Sequence, residues 1–159
     1  MMCSVMKSAV VLLTVLAVLG VIAPATAGEQ RLDALVISDS WARATPGRVR
    51  NGVAFVTVQN RGRHADRLIA VSSPAAARAA FHTHVIKAGV MKMRSVAAVE
   101  VAADAITAMK PGGLHIMLMG LAAPLVESES FPLTLTFERA GTLTLEVTVM
   151  TIGARHGRK

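Results

Sequence analysis

From residue 30 onward the chain alternates apolar and polar side chains with a period of two, and this alternation restricts its fold more than any other feature. Val53-Ala54-Phe55-Val56-Thr57-Val58, Leu133-Thr134-Leu135-Thr136-Phe137 and Leu143-Thr144-Leu145-Glu146-Val147-Thr148-Val149 read as strands. Successive side chains of a strand point to opposite faces, so such a pattern buries one face and wets the other. Weaker strand patterns cover Leu32 to Ser38, Arg67 to Ser72, Ala79 to Val85, Val90 to Val101 and Leu114 to Met119. Turn chemistry separates them at Thr45-Pro46-Gly47, Asn51-Gly52, Asn60-Arg61-Gly62, Pro111-Gly112-Gly113 and Ala140-Gly141. Only Pro74 to Ala80 reads as helical, for a turn or two. About eight short strands at this spacing predict a single antiparallel β-sandwich or barrel.

Residues 1–27 stand outside that pattern. Lys7 gives a short positive start, Ala9 to Ala23 is an uncharged apolar run, and Pro24 precedes the small-x-small sequence Ala25-Thr26-Ala27. That order predicts a secretory signal peptide. The apolar run falls short of the roughly 20 residues that a spanning helix needs, so no stable membrane span is expected. The expected division is a signal peptide at 1–27, one domain at 28–152 and a short basic tail at 153–159, in a chain exported to the periplasm. The single cysteine, Cys3, precedes the apolar run, so no lipid-attachment cysteine follows it. An exported domain without cysteine has no disulfide, no thiolate metal site and no thiol chemistry.

The chain has 17 Lys and Arg against 10 Asp and Glu, and only Lys7 is lost with the signal. Nucleic acid is the usual partner of such a basic chain. With no tyrosine and one tryptophan, however, stacking platforms are scarce, and an exported protein rarely meets nucleic acid. A solvated basic surface is the better reading.

Chemistry gathers in three short pairs: His82-Thr83-His84, Met91-Lys92-Met93 and His115-Ile116-Met117, the last followed by Met119. In a strand, residues two apart share a face, so each pair can offer two donor atoms to one side of a sheet. Taken singly, these residues are more often structural, because methionine fills irregular cores. Taken together they suit Cu(I), a soft ion matched to thioether and imidazole. Zinc prefers cysteine, histidine and carboxylate, and the hard divalent cations need oxygen. No acidic residue lies between His82 and Arg94.

On these residues the chain resembles the periplasmic copper chaperones of the PCuAC type (DUF461-like family). Their signature is a histidine, ten residues, a methionine, twenty-one residues, then His-x-Met. His82, Met93, His115 and Met117 match it without a spacing error. Trp41-Ala42-Arg43-Ala44-Thr45-Pro46-Gly47, Asn51-Gly52, Asp66-Arg67-Leu68 and Pro111 to Leu118 are also similar to family segments. The resemblance implies a cupredoxin-like Greek-key β-sandwich or barrel holding one Cu(I) per chain through those four side chains. It implies delivery of copper to the dinuclear centre of cytochrome c oxidase subunit II, sometimes beside a thioredoxin-like copper chaperone. A second copper site in the tail is not expected, since Thr151 to Lys159 holds only His156.

Rival readings are an electron-transfer blue-copper protein, a copper enzyme, a sequestration protein and a metal-free envelope module. The first needs a cysteine ligand, which the exported chain lacks. For the second, no acid, base or nucleophile is grouped with the candidate ligands. The last two stay open: storage would use the same ligands, and a metal-free module would carry them as core.

Overall fold

The structure is a computed structural model that describes residues 28–157. The expected signal peptide and the last two residues of the expected tail lie outside them. Eleven strands follow in chain order: β1 (Gln30–Leu32), β2 (Leu35–Arg43), β3 (Asn51–Asn60), β4 (Asp66–Ser72), β5 (Ala76–Lys87), β6 (Val90–Val96), β7 (Val99–Val101), β8 (Ala105–Ala108), β9 (His115–Leu121), β10 (Ser130–Phe137) and β11 (Gly141–Met150). They form one sheet in the order β6-β5-β9-β3-β2-β11-β10-β4-β7, with β1 also on β2 and β8 on β3. The β11–β2 pair is parallel, which sets the last strand beside the first long one.

Connectivity forces this sheet to curl. β6 and β7 stand at opposite ends of the strand order, yet only Ala97 and Ala98 join them. Laid flat, eight inter-strand spacings would part them by about 38 Å. The three Cα steps from Val96 to Val99 reach about 11 Å at most. The two ends must therefore meet, and the result is the expected all-β sandwich or barrel around one core. Alternation decides what fills it. Phe131, Leu133, Leu135 and Phe137 of β10 and Leu145, Val147 and Val149 of β11 are all buried, joining Ile37, Val56, Leu68, Phe81 and Ile116. Each such side chain contributes about 1.5–3 kcal/mol by leaving water.

Two local readings of the sequence are corrected. Pro74 to Ala80 does not form a helix: β5 begins at Ala76, and its first residues pair with β9, Ala76 opposite Leu121 and Ala80 opposite Met117. Alanine favours a helix by well under 1 kcal/mol per residue relative to ordinary residues, and sheet pairing overrides so small a preference. Asn51-Gly52 is not a turn either but opens β3, opposite Met119 and Leu118. Glycine is used there for space, since a Cβ on Gly52 would meet Leu125 Cδ1 at 3.0 Å.

Asp66 pins the end of the sandwich away from β9. Its buried carboxylate accepts backbone N–H bonds from Arg67 at 2.7 Å and from Arg139 and Ala140 at 2.9 Å, which clamps the β10–β11 turn to β4. Replacement by alanine leaves those donors without their acceptor. Asp66→Ala is expected to lower unfolding free energy by about 3 kcal/mol. Urea denaturation checks this, and a loss below about 1 kcal/mol would show that water replaces the carboxylate.

Candidate metal centre

The centre is built by one hairpin and one neighbouring strand. β5 and β6 are joined by Ala88 and Gly89, both with positive φ (50° and 76°), between the paired residues Lys87 and Val90. Two central residues of that kind make the type I′ turn whose twist suits a hairpin. The turn fixes the register: His84 lies opposite Met93 and His82 opposite Ser95. On its other side β5 pairs with β9, placing His82 opposite His115 and Ala80 opposite Met117. Met93, His84, His82, His115 and Met117 therefore share one face of β6-β5-β9. Phe81, Ile116 and Leu118 take the other and enter the core. A slip of one residue would exchange the two sets.

His115 is 2% exposed, and its Nδ1 donates to the Gly113 carbonyl at 2.9 Å. A carbonyl can only accept, so the proton sits on Nδ1 and Nε2 keeps a free lone pair. Burial holds this imidazole below its usual pKa of 6.5; the Gly113 bond opposes that, and the nearby His84 and His82 reinforce it. The ring thus stays neutral, the form a metal requires. The His84 ring stacks on His115 at 5.0 Å and 29°, and the His82 ring lies 6.0 Å away at 55°. The Nδ1 atoms of His82 and His84 are buried and lack hydrogen-bond partners. Such an atom costs about 1–3 kcal/mol unless something binds it.

Beside these rings lies an open cavity of about 180 Å³, lined by His84, Met93, His115 and Met117 with Arg43 and Phe55 among its walls. Three of the four signature residues thus face one space. His82, the fourth, touches the cluster through His115 but does not line the cavity. His84, which the family signature does not select, does line it. Met93 is 46% exposed and Met91 59%, so neither serves the core. Met119 stands on β9 beyond the cavity, opposite Arg78 and Asn51. Trp41 is buried and stacks on the wall residue Phe55 at 4.4 Å, beside it on the neighbouring strand. His64 and His156 are exposed, and neither lines the cavity.

The lining chemistry is selective. Among the described residues no carboxylate lines the cavity, and no group of three or more His, Cys, Asp or Glu side chains could hold a metal ion. Methionine sulfur in the lining is a soft donor, of the kind that suits Cu(I) better than zinc or calcium. Among the described residues Arg43 is the one charged side chain of the lining, held by an Nε bond to the Ala154 carbonyl at 2.8 Å. Its charge repels a dication twice as strongly as a monocation.

Residues 35–149 match the family described as "Putative lipoprotein LpqE-like". A protein of Leifsonia xyli subsp. xyli described as "Putative lipoprotein Lxx21020" is 32% identical over 125 residues, 78% of this chain and 74% of the relative. Among solved structures, the copper-bound PCuAC domain of PmoF2 superposes with a TM-score of 0.68 at 25% identity, over 78% of this chain and 98% of that domain. Apo-DR1885 of Deinococcus radiodurans shares the fold, with a TM-score of 0.60 at 22% identity, over 94% of this chain and 97% of that protein. The expected PCuAC-type architecture is the one observed. On the match that spans β2 to β11 and the identity of its curated relative, the chain belongs to the LpqE-like family.

Proposed function

We propose that this protein is an extracytoplasmic Cu(I) chaperone that carries one copper ion per chain and passes it to an acceptor protein. The observation that carries the reading is the cavity where Met93, His115 and Met117 meet beside the unpartnered Nδ1 atoms of His82 and His84, with no carboxylate in the lining among the described residues. Met93 and Met117 supply the sulfur that keeps copper monovalent, His115 offers Nε2, and β5 adds an imidazole, which the family signature assigns to His82. The similarity to a copper-bound PCuAC domain supports the same cargo.

Handing on the ion requires a site that can open. A thioether is neutral and binds without losing a proton, so an incoming ligand can replace it without a proton to move. Met93, half in solvent on the strand at the edge of the sheet, is the donor we expect to leave first. The acceptor we favour is the dinuclear copper centre of cytochrome c oxidase subunit II, as the resemblance implies, with a thioredoxin-like chaperone as a second partner. Residues 1–27 act as the export leader. The family description names a lipoprotein, which supports an extracytoplasmic place for the domain. Among the described residues no helix is long and apolar enough to cross a membrane.

The test is an anaerobic titration of the exported chain with Cu(I) against a chromogenic chelator, repeated with Zn(II), followed by incubation with apo acceptor domain. One equivalent of Cu(I), no comparable uptake of zinc and transfer to the acceptor are expected. Absence of Cu(I) binding ends the reading in favour of a metal-free module. Binding without transfer to any copper-accepting domain replaces delivery by storage.

A further inference from the structure

We propose that His84 is itself a copper donor in this chain, an assignment that rests on the Cu(I) reading above and departs from the spacing signature, which selects the histidine two positions earlier. Four observations meet at this residue. His84 lines the cavity with Met93, His115 and Met117, whereas His82 does not. It is the direct cross-strand neighbour of Met93, so an imidazole and a thioether stand side by side on β5 and β6 at the spacing of an antiparallel pair. Its ring is nearer to His115 than that of His82, at 5.0 Å against 6.0 Å. Its Nδ1 is buried without a partner. A structural histidine normally spends its ring nitrogens on hydrogen bonds, and an apolar residue would fill the same place without leaving a polar atom unsatisfied.

Four soft or borderline donors thus line one small cavity, His84, Met93, His115 and Met117, and His82 stands next to them across from His115. A closed-shell monovalent ion has no use for all of them at once. The surplus provides for exchange. His84 lies further along β5 toward the Ala88–Gly89 turn than His82, in register with the half-exposed Met93. Copper held by His84 and Met93 sits at the edge of the sheet that an acceptor can reach. His82, directly across from His115 in mid-strand, is the inner donor.

The experiment is an anaerobic Cu(I) competition titration of the exported chain and of its His84→Ala, His84→Gln and His82→Ala variants. It is paired with ¹⁵N NMR of the histidine rings in the unmutated protein before and after one equivalent of Cu(I). Both His84 variants are expected to bind at least about tenfold more weakly, and the His84 ring nitrogens to shift when copper is added. Should the His84 variants fail to fold, the ring shift in the unmutated protein decides alone. If the folded His84 variants bind within about twofold of the parent and the ring signal does not move, while the parent still takes up copper, His84 is no donor and the chaperone reading survives. If the parent takes up no Cu(I), both fall together.

Discussion

His115→Ala is expected to abolish useful Cu(I) affinity, weakening it by at least about a hundredfold, while the protein stays folded. Losing a residue that merely orients a ligand typically costs a metal site about ten- to a hundredfold, so losing a donor costs no less. His115 is the candidate donor most tightly prepared for the role. It is buried, neutral, and fixed in one tautomer by the Gly113 carbonyl, with its Nε2 uncommitted. It also lies between the two parts of the site, stacked on His84 and cross-strand from His82. An anaerobic competition titration measures the effect, and circular dichroism of the apo variant shows whether the fold is retained. A variant that is folded and binds Cu(I) within about threefold of the parent would remove His115, and with it the proposed centre.

The second large effect concerns stability. Ile116→Ala is expected to lower unfolding free energy by about 2–5 kcal/mol. Ile116 is fully buried, with its side chain on the face opposite to His115 and Met117, and it pairs with Ala54 on β3 and Phe81 on β5. Alanine there leaves a cavity at the crossing of three strands. A domain of this size has only about 5–15 kcal/mol to lose, so the fraction is large. Urea unfolding of the apo protein measures the change. Copper affinity at temperatures where both proteins are folded should fall far less than in His115→Ala, because the donors face the other way. A loss under about 1 kcal/mol would mean that the core closes around the gap.

How much of the fold could be read in advance depended on the element. β10 and β11 were legible because, from Leu133 to Phe137 and from Leu143 to Val149, threonine or glutamate marks every second position and apolar residues fill the rest. β1 and β8 carry three and four residues, too few for a period to register. Pro74 to Ala80 misled because alanine's local preference is helical, whereas the place of this segment is set by pairing with β9, some forty residues on. The Ala88–Gly89 turn was missed for a related reason: alanine is an unusual residue at positive φ, and nothing local announces that the hairpin demands it.

Donor chemistry was legible from the sequence. His82 and His84, Met91 and Met93, and His115 and Met117 are each two residues apart, so each pair had to share a face once the strands formed. Soft donors without cysteine or nearby acid already pointed to a soft monovalent ion. Which members of those pairs would meet was not determined by the sequence alone. Hydrogen-bond register between β5, β6 and β9 decided that Met93 stands across from His84, while the cavity wall took in Met117 and left out Met119. The physical reason is that period two fixes the side of a sheet on which a residue lies, but not its position across neighbouring strands. That position comes from the turn geometry and sheet curvature of the assembled barrel.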